Sequence, residues 1–99
     1  LATATLTWTL PTTRVDGSPL AVTDIASVHI FDGGVEIDHV GAVTSFTTDV
    51  LTVGQHDFTV TVTDTTGHTS AASNVSSVTV VAVLANPSPV SDLTAVLNP

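Results

Sequence analysis

The sequence predicts an all-β fold, an antiparallel two-sheet β-sandwich, on three observations. Apolar residues alternate with polar ones at period two, β-branched residues dominate each alternating stretch, and no stretch makes a credible helix. Short runs separated by regular Gly, Pro, Asp and Ser turn signals then favour a sandwich or barrel. Ninety-nine residues is the size of one small domain, and 42% hydrophobic residues is enough to give it a core.

The elements follow in chain order. Thr5 to Leu10 puts Leu6, Trp8 and Leu10 on one face and threonines on the other, and Pro11 stops it. Ile25 to Phe31 and Val35 to Val40 flank Gly33-Gly34, which reads as a type I′ hairpin; that register sets Ile30 opposite Ile37 and His29 opposite Asp38. Ser45 to Thr48 is a short strand ahead of Leu51 and Gly54. Phe58, Val60 and Val62 then point inward from Asp57, Thr59, Thr61 and Thr63, the clearest alternation in the chain. Asp64 to His68 is a loop, and Val75 to Val83 is a last long strand. The expected core is Leu6, Trp8, Val28, Ile30, Ile37, Phe46, Leu51, Phe58, Val60, Val62, Val78 and Val80.

Composition removes whole classes of function. Nine acids stand against one base, Arg14, for a formal charge of −8, so a surface that tracks phosphates cannot be built and nucleic acid is excluded as a partner. Without lysine there is no Schiff base, P-loop or lysine isopeptide crosslink; without cysteine there is no disulfide, thiol catalysis or thiolate metal site. The longest apolar run, Val78 to Ala85, is far short of the roughly 20 residues that cross a bilayer, so no membrane insertion is expected. No export signal is visible, and the sequence reads as mature protein. Charged residues are only 10% of the chain and threonine about a fifth, the habit of extracellular or cell-surface β-proteins with hydroxyl-coated faces.

Leu6-Thr7-Trp8 followed by Pro11, Asp16 to Leu20, Ile25 to Gly33, Leu51 to Gly54, Phe58-Thr59-Val60 and Asp64 to Ser73 together resemble a fibronectin type III domain of the bacterial and phage kind. The resemblance covers nearly the whole chain. It implies that Trp8 is the core tryptophan of the second strand, Leu51 the leucine before the sixth, and Asp64 and Gly67 part of the loop before the last. Two positions depart from the family: Val28 stands where a tyrosine is usual in the third strand, and His56 where the tyrosine corner sits. His56 can still bond backbone, which would put a titratable group in a half-buried corner.

The ends carry the anomaly. The family opens with a strand, yet Leu1 lies only a few positions before what the resemblance makes the second one. Pro87 to Leu97 looks like the opening strand at the wrong end, with Leu93, Ala95 and Leu97 on one face. Residues 1–85 are thus expected to form a sandwich lacking its first strand, and 86–99 a proline-containing linker and strand. In the family that the chain resembles, the last strand ends at the pole opposite to where the first begins, a separation of about 30 Å for strands of eight to ten residues. Ala85 to Ser91 reaches about 25 Å at most, and Pro87 and Pro89 stiffen it outward. The strand is therefore expected in the next domain in line, either donated between chains or within one array of repeats. Head-to-tail addition that does not close makes a filament.

Candidate chemistry is thin. Asp64, His68 and Ser70 share one loop and carry the residue types of a hydrolase triad, but the loop reads as an ordinary turn of the family. His29, His39, His56 and His68 show no paired ligand spacing. Asp16, Asp24, Asp32, Asp49, Asp57 and Asp64 fall near loop or strand ends without a calcium-loop spacing, and read as acids that keep the domain soluble. Arg14-Val15-Asp16-Gly17 is not an Arg-Gly-Asp adhesion motif. No catalytic residue and no cofactor is expected. The expected function is a structural subunit or repeat of an extracellular filament or surface array. Its inter-subunit strand is Val90, Leu93, Ala95 and Leu97, and its acceptor edge Thr5, Leu6, Thr7 and Trp8. The expected partners are copies of itself or adjacent repeats. Carbohydrate is a further partner class left open by the outward threonines. The alternative is a spacer or weak binding module of a secreted hydrolase, adhesin or phage virion protein.

Overall fold

A computed structural model describes residues 2–82 and 85–99. Among these residues six strands form two antiparallel sheets: β1 (Thr5–Thr7), β2 (Ile25–Asp32), β3 (Val35–Val40), β4 (Ser45–Thr47), β5 (Gly54–Asp64) and β6 (Ser76–Val80). β1 and β4 make a two-stranded sheet, and the other four run in the order β3-β2-β5-β6. The only helical element among the described residues is a single 3₁₀ turn, Val22–Asp24, leading into β2.

The period-two alternation translates directly into burial. Val28 and Ile30 on β2 are fully enclosed, and Phe58 faces them from β5, whose residues 58–64 pair with Asp32 back to Ile25. On β1 and the residues that follow it, the even positions Leu6, Trp8 and Leu10 are half-buried and the odd threonines exposed. Phe46, Leu51, Val60, Val62, Val78 and Val80 are only half-buried as well. A core with so few sealed positions reflects a two-stranded sheet too narrow to cover a four-stranded one.

The β2–β3 hairpin corrects the predicted register. Gly33 and Gly34 have φ of +59° and +84°, the positive pair that a type I′ turn needs. Asp32 pairs with Val35 and Phe31 with Glu36 as a two-residue loop dictates, but a bulge follows. Ile30 lies opposite Asp38 and His29 opposite His39, not Ile37 and Asp38. The extra residue is Ile37, and the bulge turns it out of the core, leaving it 42% exposed.

Other differences are of extent. β1 ends at Thr7 and not Leu10, and β4 at Thr47. β6 begins at Ser76; the predicted continuation to Val83 falls partly outside the described residues. Asp64 is no loop residue: it closes β5 and is buried. Residues 85–99 are exposed throughout and carry no strand. The molecule measures 93 × 18 × 17 Å, whereas the 11 residues of β5, the longest strand, span about 37 Å, so this segment extends away from the sheets.

Candidate functional site

The backbone bonds of β1 show which of its groups are spoken for. The Trp8 N–H donates to the Thr44 carbonyl at 3.0 Å, the Thr48 N–H to the Ala4 carbonyl at 2.8 Å and the Leu51 N–H to the Ala2 carbonyl at 2.8 Å. Even-numbered residues thus spend their main-chain groups on β4 and the chain following it. In an antiparallel ladder the alternate residues face the other way, so Thr3, Thr5, Thr7 and Thr9 present theirs along an edge that no strand of the described residues covers. The side chains hold β1 to β4 as well. Thr5 and Thr47 share a hydroxyl bond at 3.1 Å, the Ala4 N–H reaches Thr48 Oγ1 at 2.9 Å, and Trp8 Nε1 donates to the Val43 carbonyl at 2.8 Å.

Beside this edge runs a groove. One wall is Thr5, Leu6, Thr7 and Trp8, the four residues expected to form an acceptor; Phe58, Thr59 and Val60 make the floor, and Ser73, Asn74 and Ser76 the far wall, around about 190 Å³ of space. The far wall was not foreseen from sequence. There the chain has not yet entered β6, and serine hydroxyls replace ladder partners: Ser73 Oγ accepts from the Val60 N–H at 3.0 Å and Ser70 Oγ from the Val62 N–H at 2.9 Å. The same residues return a bond, Ser73 N–H to the Val60 carbonyl and Ser70 N–H to the Val62 carbonyl. The Ser-x-x-Ser spacing was the only sequence trace of this arrangement.

Farther along the same line lies a second space of about 290 Å³, between the 11–20 loop, the end of β5 and residues 68–70. The loop is itself a small hairpin: Thr13 bridges Pro19, and the Gly17 N–H closes a turn on the Arg14 carbonyl at 2.9 Å. At its tip Val15 is completely exposed.

The predicted donor residues Val90, Leu93, Ala95 and Leu97 all lie in the exposed segment, and the structure does not bring them to β1 of their own chain. Leu93 is 88% exposed and Leu97 96%, levels at which a leucine contributes nothing to its own domain's core.

The remaining polar clusters have structural partners. Ser70 Oγ donates to the Ala71 carbonyl while accepting from Val62, and His68, largely exposed, bonds Thr66 Oγ1, so the three triad candidates are not arranged as one. Of the acids near loop ends, Asp16 holds Ser18, Asp24 the Ala21 N–H, Asp57 binds Ser77 and Gln55, and Asp64 binds Arg14 and the 66–68 turn. Among the described residues, no group of three or more His, Asp or Glu is placed to hold a metal ion.

His56 is buried between two acceptors. Nε2 donates to the Thr52 carbonyl at 2.7 Å and Nδ1 meets Asp32 Oδ2 at 2.6 Å. The Thr52 carbonyl and then the Asp32 carboxylate raise its pKa above the ordinary 6.5, because both are acceptors and favour the doubly protonated ring. A raised folded-state pKa gives stability that is full below the unfolded value and disappears as pH rises through the folded one. Urea midpoints should therefore fall from about pH 6.5 upward, and His56→Gln should flatten that decline; equal slopes in the two proteins would contradict the ion pair.

No protein family model, curated protein or solved structure matches this chain.

Proposed function

We propose that the chain is a fibronectin type III-like structural unit of an extracellular filament or surface array, joined head to tail by its C-terminal segment. The single observation that carries this reading is the open β1 edge with its groove, matched by an exposed segment whose apolar residues alternate. The two-plus-four sheet order is what that family has once the first strand is taken out of the smaller sheet.

The phase of the segment supports the pairing. If Leu93, Ala95 and Leu97 face the groove, the even-numbered residues from Ser88 to Val96 turn their N–H and C=O groups toward Thr3 to Thr9. Asp92 then points to solvent. Backbone pairing supplies affinity and the alternate side chains supply register, the logic of strand addition to a sheet edge. Each leucine fully buried contributes about 1.5–3 kcal/mol.

Sedimentation velocity of the full chain tests this directly. The wild-type protein should form concentration-dependent oligomers, Leu93→Asp should remain monomeric, and Asp92→Lys should behave as wild type. Position 93 is outside the chain's own sandwich, so loss of assembly there cannot be a folding defect. Identical sedimentation of wild type and Leu93→Asp would overturn the donated strand and favour a spacer or binding module.

A further inference from the structure

We propose that the second space, under Val15, is the seat of Pro87 and Pro89 of a neighbouring copy, so that the donated segment is held by a proline plug as well as by a strand. This rests on the head-to-tail reading above and extends it to residues that reading does not use.

Three observations point to that occupant. The first is position. Any antiparallel register that sets Leu97 opposite Ala2 or Ala4 sets Pro89 opposite Leu10 or Thr12, and so carries the segment out of the first groove and over the 11–20 loop. The two spaces lie along one line: Thr5 to Trp8 and then Pro11 to Val15 on one side, Ser76 back to Ser73 and then Ser70 to His68 on the other.

The second is phase. Pro87 and Pro89 share the odd parity of Leu93, Ala95 and Leu97. Odd residues of the donated strand turn their main-chain groups away from β1, so the N–H that proline lacks is not needed for the ladder. The same parity directs both rings inward, toward Pro11, Val15 and Leu20.

The third is chemistry. Val15 sits at the tip of a polar turn, fully exposed, where none of the described residues covers it. Pro11 is exposed beside it, and Leu20 is only half-buried. The segment from Pro87 to Val90 carries no charge, so it enters an apolar seat without desolvating an ion. Two prolines also hold the segment extended before binding, which reduces the ordering cost.

The test uses full-length Leu93→Asp protein, whose own segment cannot assemble but whose acceptor surface is intact, titrated with a synthetic peptide of residues 86–97. The wild-type peptide should bind. A peptide with Pro87→Ser and Pro89→Ser should bind about tenfold more weakly, roughly what an uncovered apolar side chain costs. With Val15→Ser in the receptor the two peptides should become equal within about twofold, because the interaction they differ in is gone. If the serine peptide binds the unaltered receptor as tightly as the wild-type peptide, the plug is overturned and the strand reading stands. The plug also fails if the tenfold gap persists with Val15→Ser, since the prolines then act only by stiffening the peptide. Absence of binding by either peptide overturns both readings.

Discussion

Phe58→Ala should destabilise the domain by about 3–5 kcal/mol, the range for removing a buried aromatic from a core that does not refill the space. Phe58 is 2% exposed and pairs with Asp32 on β2 and Ser76 on β6, so its ring stands at the centre of the larger sheet. One side of it already lines the open groove under Leu6 and Trp8. Alanine would join the new void to that groove, and the half-buried neighbours have few contacts to collapse on. The His56 ring, stacked at 6.2 Å and 13°, would lose its apolar cover too. Against the roughly 5–15 kcal/mol that holds an ordinary domain together, such a loss is a large fraction. Urea unfolding followed by Trp8 fluorescence measures it, and a loss below about 1 kcal/mol would place the ring outside the core.

Most of the sheet pattern was legible because alternation at period two says which residues face inward, and Phe58, Val28 and Ile30 lie where it puts them. Register was less legible. Gly33-Gly34 fixes the turn and the first two pairs, but nothing in Glu36-Ile37-Asp38 signals the bulge, which depends on how β3 bends along β2. Ile37 therefore reads as core and is not. The extent of β1 was overestimated for a related reason: Trp8 and Leu10 keep the phase of a strand, but the ladder of β1 with β4 stops at Thr7.

The site divides in the same way. The alternation of Thr5 to Leu10 shows which residues face inward, but the place of Thr5 to Trp8 at a sheet edge was expected only from the family resemblance. The far wall and the second space could not be named in advance, since both depend on where the chain between Asp64 and Ser76 crosses β5. Only Val15, an isolated apolar residue in an Arg-Val-Asp-Gly turn, gave a hint, and in a sequence a single valine in a loop is ordinary.

Asp64→Ala should cost more stability than the loss of any other of the nine acids, and it should abolish much of the domain's sensitivity to acid. Asp64 is 6% exposed and gathers four donors. Oδ2 takes Arg14 Nη1 at 2.6 Å, and Oδ1 takes the Thr66 N–H at 3.0 Å, the Thr66 hydroxyl at 2.8 Å and the His68 N–H at 2.8 Å. One carboxylate thus ties the 11–20 loop to the 65–68 turn, and the adjacent Thr65 N–H bonds the carbonyl of Asp24, the residue before β2. The Arg14 guanidinium, followed by the Thr66 hydroxyl, holds the carboxyl far below the usual aspartate range. The linkage sign is that of a depressed acid: its stabilisation is complete above the unfolded value of 3.8 and is lost as pH falls toward the folded one. Wild type should lose stability steeply below about pH 4, whereas Asp64→Asn, with no charge to neutralise, should start lower at pH 7 and change less on acidification. Arg14→Ala should be the milder change, because Arg14 is 36% exposed and its removal leaves Asp64 three other donors. Urea midpoints for the four proteins at pH 7 and pH 2.5 decide it: parallel profiles for wild type and Asp64→Asn would mean that the Arg14–Asp64 contact is a solvated pair of no consequence. Because Arg14 and Asp64 also border the space under Val15, the same acid step should loosen the 11–20 loop against the 65–68 turn.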